Sequence, residues 1–181
     1  NGPCPDSSTV VVTVFPTPAA PQIIATDSIY CGTESPSMLS VVSGTDIAQW
    51  MIGSATSTVL STADDFTPAS LNTGSNYIFV VLSDGGSCLS APDSINYIVS
   101  DLSVLSAGTD LQTCIGSEIE LNATGGVSYV WTANDDLADL DIADPIAHVF
   151  ADSYYIVTIT DGYGCLKTDS VQVTLLPSSD C

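Results

Sequence analysis

Apolar and polar residues alternate in short runs along most of this chain, and little of it shows sustained helical periodicity. Short alternating runs predict β-strands, so we expect an all-β protein. The clearest runs cover residues 77–82, 94–99, 154–160 and 170–176. Asp84-Gly85 and Asp161-Gly162 separate the members of each pair, and Gly accepts the positive φ that tight turns require. The pattern therefore predicts two antiparallel hairpins.

The hairpins belong to a longer internal repeat. Upstream of each lie a Cys, an alternating run, a Gly-containing turn and a run with a Trp, from Cys31 to Trp50 and from Cys114 to Trp131. Turn signals between short strands are typical of β-sandwiches. We expect two tandem immunoglobulin-like sandwich domains, at 19–101 (the first repeat) and 102–177 (the second repeat). Their cores should hold both Trp residues together with Tyr77 and Tyr155, which lie on core strands.

Six cysteines, at positions 4, 31, 88, 114, 165 and 181, suggest a disulfide framework. No CxxC pair occurs and His148 is the single histidine, so a zinc site is not expected. Each full repeat contains two cysteines, which predicts one disulfide per domain, Cys31–Cys88 and Cys114–Cys165. Disulfides form in oxidising, extracytoplasmic settings, so an extracellular location is predicted.

The two ends of the chain look like parts of further repeats. Cys4 takes the place of Cys88 and Cys165, so residues 1–18 should be the closing strand of a preceding repeat with a Pro-rich linker. Cys181 takes the place of Cys31, so 178–181 should begin a following repeat. Cys4 and Cys181 are therefore predicted to bond to neighbouring repeats or subunits.

The valine-rich run "VVVTVF" at positions 10–15 is an orphan strand in this scheme. A free strand edge promotes aggregation unless something pairs with it. Two alternatives stay open at this stage. The strand adds to the sheet of a neighbouring subunit and links copies into a fibre, or it belongs to an adjoining domain of the same chain.

The charge balance is strongly acidic, with 18 Asp and three Glu against Lys167 alone. Binding to phosphates needs Lys and Arg, so neither nucleic acid nor an anionic membrane surface is an expected partner. No apolar run reaches the roughly 20 residues of a membrane span, so membrane insertion is not expected. The acids serve either solubility and salt adaptation or the binding of divalent cations.

One acidic loop is a candidate calcium site, and no other cofactor is expected. Its carboxylates are Asp135, Asp136, Asp139, Asp141 and Asp144. Carboxylate oxygens are the ligands that Ca²⁺ prefers, although the loop lacks the spacing of an EF-hand. The alternative is a solvated acidic turn.

The sequence does not contain a recognisable set of catalytic side chains. His148 is the only imidazole, and no GxSxG nucleophile elbow lies near it. Asp pairs that could cleave glycosides are not marked out by any motif. We therefore expect a protein that is not an enzyme.

The second repeat resembles the PKD-like, immunoglobulin-like repeats of secreted Bacteroidetes proteins. The matching positions are Gly108, Cys114, Leu121, Gly125, Gly126, Tyr129, Trp131, Asp144, Pro145, Tyr155, Asp161, Gly164, Cys165, Asp169 and Ser170. The first repeat resembles the module beside gliding-motility-associated sorting domains, through Cys31, Trp50, Tyr77, Cys88 and the "GGSC" turn. The resemblance implies cell-surface or released proteins exported by the type IX system as adhesins, stalks or spacers.

Three Asp-Ser-aliphatic triplets resemble the acceptor that Bacteroidetes use for O-glycosylation, which makes Ser28, Ser94 and Ser170 candidate sites. The alternative is that Asp-Ser simply starts a strand at a fixed place in the repeat. The predicted function is a structural or adhesive repeat segment of an extracellular bacterial surface protein, assembling by strand addition or continuing into adjoining repeats. The alternative function is a carbohydrate-binding module of a secreted enzyme, with surface polysaccharide as partner, which an exposed aromatic platform would favour.

Overall fold

The computed structural model describes residues 9–14, 16–132 and 136–181. Within these residues the chain is all-β, apart from one turn of 3₁₀ helix at Leu102–Val104. The strands are β1 (Ile29–Cys31), β2 (Leu39–Ser40), β3 (Ile47–Ile52), β4 (Asp65–Phe66), β5 (Gly74–Ser83), β6 (Asp93–Ser100), β7 (Leu111–Thr113), β8 (Ser117–Glu120), β9 (Ser128–Trp131), β10 (Ile146–Val149), β11 (Ser153–Thr160) and β12 (Leu166–Leu175).

These strands form two pairs of sheets, which are two immunoglobulin-like sandwiches. The first pair has the strand orders β1-β6-β5-β3 and β2-β4, and the second has β7-β12-β11-β9 and β10-β8. In both four-stranded sheets the first strand of the repeat runs beside its last strand, and the Trp-bearing strand lies at the other edge. The predicted fold class is confirmed.

The chain also divides into two compact units that are discontinuous in sequence. The first unit contains residues 1–25, 38–66 and 77–95, and the second contains 26–37, 67–76 and 96–181. The domain boundaries predicted from the repeat remain a prediction.

The first unit is built on the antiparallel pairing of β3 with β5, from Ile47 opposite Ser83 to Ile52 opposite Ile78. Trp50 is fully buried, and its ring stacks on Phe66 with 5.5 Å between centroids. The expectation that Tyr77 lies in the core is wrong, because the alternation of β5 buries Ile78 and leaves Tyr77 51% exposed.

The second unit contains the complete second sandwich. Strand β11 pairs antiparallel with β12 and with β9, and β7 runs parallel to β12. The facing sheet consists of β8 and β10, with Val149 opposite Ser117. Alternation along the strands buries one face of each sheet, and the buried residues form one core: Leu105, Ala107, Leu121, Ala123, Trp131, Ala147, Val149, Tyr155, Val157, Ile159, Val171 and Val173.

Both predicted hairpin turns form where the Asp-Gly pairs stand. The amide of Asp84 donates to the carbonyl of Cys88, and the amide of Asp161 donates to the carbonyl of Cys165. The prediction that Asp-Gly marks these turns is therefore confirmed.

Candidate functional site

The cysteine pairing differs from the predicted one. Cys31 bonds to Cys165 and Cys114 bonds to Cys181, with Cα atoms 5.4 and 5.8 Å apart. The predicted pairs Cys31–Cys88 and Cys114–Cys165 are therefore wrong, and Cys181 has its partner in this chain rather than in a neighbour. Cys88 is a free, half-buried thiol. Cys4 lies outside the described residues.

Parallel pairing explains why the predicted pairs do not form. Because β7 runs parallel to β12, Thr113 lies opposite Leu175 near the end of β12, and Cys114 follows directly. Cys165 comes just before β12 begins, so roughly 30 Å of strand, at ~3.3 Å per residue, separates it from that end. In the first repeat, Cys31 likewise lies opposite Ser100 at the end of β6, whereas Cys88 precedes the start of β6.

The turn that carries Cys165 is held by the carboxylate of Asp161. One oxygen, Oδ1, accepts the backbone N–H groups of Tyr163 and Cys165, each at 2.8 Å. The other oxygen, Oδ2, accepts the hydroxyl of Ser100. Burial opposes ionisation of Asp161, but the hydrogen bonds from Ser100 and the backbone outweigh it and lower the pKa of the carboxyl.

The turn around Cys88 has the same construction. Oδ1 of Asp84 accepts the backbone N–H groups of Gly86 at 2.8 Å and Cys88 at 3.3 Å. Partial desolvation and the negative charge of Asp84 raise the pKa of the Cys88 thiol. Sequence reasoning recognised the Asp-Gly turn but missed the role of the carboxylate. That role could have been inferred from the spacing between Asp and Cys, which is the same in both repeats.

The two tryptophans are core residues, as predicted. The Nε1 atom of Trp50 donates to the carbonyl of Ala63, and that of Trp131 donates to the carbonyl of Ile142, both at 2.8 Å. Both side chains are almost completely buried. Neither ring is therefore available to stack on a sugar.

The acidic loop is folded through its backbone. The backbone N–H of Trp131 donates to the carbonyl of Leu140, and the backbone N–H of His148 donates to the carbonyl of Asp136. Asp139, Asp141 and Asp144 are exposed, and Asp135 lies outside the described residues. Within the part of the chain that the structure describes, no three His, Cys, Asp or Glu side chains come together as a metal-binding group. The calcium site stays a prediction.

The Asp of two Asp-Ser motifs has a structural role. Oδ2 of Asp93 accepts the amide of Ile23, and Oδ2 of Asp169 accepts the amide of Ala107, both at 2.8 Å. The hydrogen bond from Ala107 is the main cause of the lowered pKa of Asp169. These contacts tie the segment entering each repeat to its last strand. The three candidate serines, Ser28, Ser94 and Ser170, are all exposed.

His148 lies beside an acidic residue of the neighbouring strand. Its Nδ1 lies 3.5 Å from Oε1 of Glu118, and both side chains are largely exposed. The two residues are opposite one another on β10 and β8. This is a solvent-exposed cross-strand pair, which contributes little to stability.

The valine-rich N-terminal segment is the most exposed apolar stretch described. Val10, Val11, Val12 and Val14 are 80%, 85%, 76% and 85% exposed. Residues 9–14 belong to no strand, and Ser8 and Phe15 lie outside the described residues. None of the described helices is long and apolar enough to cross a membrane.

No protein-family model matches the chain, and no curated protein matches it. Among solved structures, the two immunoglobulin domains of DIP-gamma are similar over 87% of this chain and 98% of that chain, at 10% identity and a TM-score of 0.46. The insect immune protein hemolin is similar over 86% of this chain and 46% of its own, at 10% identity and a TM-score of 0.46. SGBP-B of Bacteroides ovatus, in complex with a mixed-linkage heptasaccharide, is similar over 85% of this chain and 47% of its own, at 13% identity and a TM-score of 0.33. The chain thus spans about half the length of the latter two proteins.

Proposed function

We propose that this chain is a structural and adhesive repeat segment of an extracellular surface protein of Bacteroidetes, exported by the type IX system, and that it assembles into a fibre by strand addition. The observation that carries the proposal is the exposed valine segment, whose side chains are 76% to 85% exposed while the sandwiches bury their own apolar faces. Valine-rich segments favour β-structure, and pairing with a sheet edge satisfies their backbone groups.

Two further features support a non-catalytic, extracellular role. Two disulfides join distant parts of the chain, which suits an oxidising environment. Among the described residues, His148 forms an exposed cross-strand pair with Glu118, an arrangement that we interpret as structural. We accordingly propose that the segment is not an enzyme. The exposed serines at 28, 94 and 170 are open to glycosylation in this proposal.

An edge strand of the second sandwich is the place that we propose receives the valine segment. Strands β7 and β9 are the edges of one sheet, and the Trp131 amide on the outer edge of β9 already donates to Leu140. Strand β7, Leu111–Thr113, pairs along one side with β12. We propose that the segment of one copy pairs with β7 of the next, because backbone pairing at an edge needs only an unpaired strand.

Replacing Val12 with Pro tests strand addition. Proline removes a backbone N–H and cannot sit within a paired strand, so Val12→Pro should abolish the concentration-dependent assembly of the protein. Val12 is exposed, so the stability of the sandwiches should change by less than about 0.5 kcal/mol. Sedimentation velocity of the oxidised protein over a hundredfold concentration range measures the assembly.

Val12→Thr is the matched control, because threonine keeps the N–H and a β-branched side chain. It should assemble at concentrations close to those of the unchanged protein. Assembly of Val12→Pro at the same concentration as Val12→Thr would show that the segment does not act by strand addition.

A carbohydrate-binding role is the second candidate, and one observation favours it. The outward side chains of β7, β9, β11 and β12 include no charged group, although the chain carries a net charge of −20. They are Gln112, Ser128, Val130, Tyr154, Ile156, Thr158, Thr160, Leu166, Thr168, Ser170, Gln172 and Thr174. Tyr154 is 63% exposed on this face. A neutral hydrogen-bonding surface with an aromatic ring fits a neutral polysaccharide.

Replacing Tyr154 with Ala tests the second candidate. If the face binds neutral glycans, the substitution should weaken retardation in gels containing a soluble β-glucan by at least tenfold in apparent Kd, because stacking on the ring is lost. Tyr163→Ala, at an exposed turn residue, should leave retardation unchanged. Equal retardation of Tyr154→Ala and the unchanged protein would argue against this role.

A further inference from the structure

One structural unit, a turn presenting a thiol and a carboxylate, occurs once in each repeat. In the sequence it reads Asp-Gly-Gly-Ser-Cys at 84–88 and Asp-Gly-Tyr-Gly-Cys at 161–165. In both copies the Asp amide donates to the Cys carbonyl, and Oδ1 of the Asp accepts two backbone N–H groups, including that of the Cys. The two copies therefore present the thiol and the second carboxylate oxygen in the same local geometry.

The copy in the second repeat shows what this turn binds. Its thiol, on Cys165, is bonded to Cys31, and its free carboxylate oxygen, Oδ2 of Asp161, accepts the hydroxyl of Ser100. Cys31 and Ser100 lie opposite one another where β1 and β6 of the first repeat end. The turn thus receives two groups from the end of the repeat that precedes it, one through a covalent bond and one through a hydrogen bond.

The copy in the first repeat has both binding groups available. Cys88 is a free thiol that is partly accessible to solvent. The Asp84 side chain is exposed, and the hydrogen bond between its carboxylate and the Cys88 thiol stays within the turn. By contrast, Cys165 and Asp161 are both buried. The two equivalent groups that a partner covers in the second repeat are uncovered together in the first.

We propose that Cys88 forms a disulfide with the cysteine of a preceding immunoglobulin-like module that occupies the position of Cys31. In that module a hydroxyl at the position of Ser100 donates to Oδ2 of Asp84. The partner is therefore one more repeat of the same kind, presenting the ends of its first and last strands. The first repeat would then be joined to the module before it in the register that Cys31 and Cys165 show.

The disulfide between Cys88 and the partner cysteine forms by thiol–disulfide exchange with a small disulfide oxidant. The Cys88 thiolate, after losing a proton, attacks the oxidant disulfide and releases one thiolate. The partner cysteine, as its thiolate, then attacks Cys88 Sγ in the mixed disulfide and releases the second. The two protein thiols are oxidised, the oxidant disulfide is reduced to two thiols, and both protons pass to the released thiolates or to water.

This inference rests on the proposed repeat architecture and not on strand addition by residues 9–14. The test uses the native protein from its source, alkylated before lysis and digested without reduction, with disulfide-linked peptides identified by mass spectrometry. The Cys31–Cys165 and Cys114–Cys181 peptides serve as internal controls against scrambling. We expect Cys88 to be linked to a peptide from outside residues 1–181 whose cysteine ends a short alternating strand, as Cys31 does.

The remaining outcomes each overturn the proposal. Alkylated Cys88, or Cys88 capped by a small thiol, would mean that the turn has no module partner. A bond from Cys88 to Cys4 or to any other cysteine of this sequence would show a different pairing rule. A link to an outside cysteine elsewhere in its module would contradict the register. None of these results affects the Val12→Pro test, so the two proposals fail separately.

Discussion

Removing the Cys31–Cys165 bond should lower the free energy of unfolding by about 5 kcal/mol. The bond joins residues separated by 134 positions, and cross-linking so long a loop removes a large conformational entropy from the unfolded chain. The double variant Cys31→Ser with Cys165→Ser avoids leaving one unpaired thiol. Chemical denaturation of the oxidised proteins, followed by tryptophan fluorescence, measures the difference.

Cys88→Ser is the matched control, since Cys88 is a free thiol in the structure. Its free energy of unfolding should stay within about 0.5 kcal/mol of that of the unchanged protein. A loss in Cys88→Ser as large as that in the double variant would mean that Cys88, and not Cys31, is the partner that matters. The observed pairing would then be wrong.

Trp131→Ala should destabilise the second sandwich by about 3–5 kcal/mol, which is typical when a large buried aromatic side chain is truncated. Trp131 is 1% exposed and belongs to the core of this sandwich. The substitution also leaves the carbonyl of Ile142 without the hydrogen bond that it receives from Nε1. Thermal unfolding followed by near-ultraviolet circular dichroism measures the loss.

Trp131→Phe separates the two contributions to this effect. It keeps much of the buried aromatic area, removes the Nε1 donor and leaves a smaller cavity than alanine does, so we expect it to lose about 1–3 kcal/mol. Tyr163→Ala, at an exposed position, should change stability by less than about 0.5 kcal/mol. If Trp131→Ala were as mild as Tyr163→Ala, the placement of the indole in the core would be contradicted.

Local features of the sequence predicted most of the fold. The Asp-Gly turns, the alternating runs beside them and the burial of Trp50 and Trp131 all depend on residues close together in the chain. Turn chemistry and strand alternation are readable at that range, because they express backbone preferences of a few neighbouring residues. The position of Tyr77 was missed because a change of one residue in the phase of a strand reverses which side chains are buried.

The cysteine pairing could not be predicted in the same way. It depends on Cys114 lying at one end of β12 and Cys165 at the other, a consequence of the parallel pairing of β7 with β12. Parallel neighbours are separated widely in sequence, so no local pattern reveals them. Once that pairing is known, a bond within each repeat is excluded, and the partner of Cys165 must come from elsewhere.

The sequence also did not reveal which aspartates hydrogen-bond to the backbone. Four that do so are Asp84, Asp93, Asp161 and Asp169. With 18 Asp residues in the chain, an individual carboxylate carries little information. Only the recurrence of an Asp at the same place in both repeats distinguishes these four. Each accepts backbone N–H groups at a turn or at the entry of a repeat.

The register of the Cys31–Cys165 bond also limits how far the chain can be drawn out under tension. A pull on the two termini passes along residues 1–31, crosses the disulfide and continues along residues 165–181. At about 3.5 Å per residue, this covalent path has a contour length of roughly 170 Å, against roughly 400 Å when only this bond is reduced and the path runs along residues 1–114 to the Cys114–Cys181 bond. Reduction of this one bond would therefore more than double the length to which the segment can be drawn out.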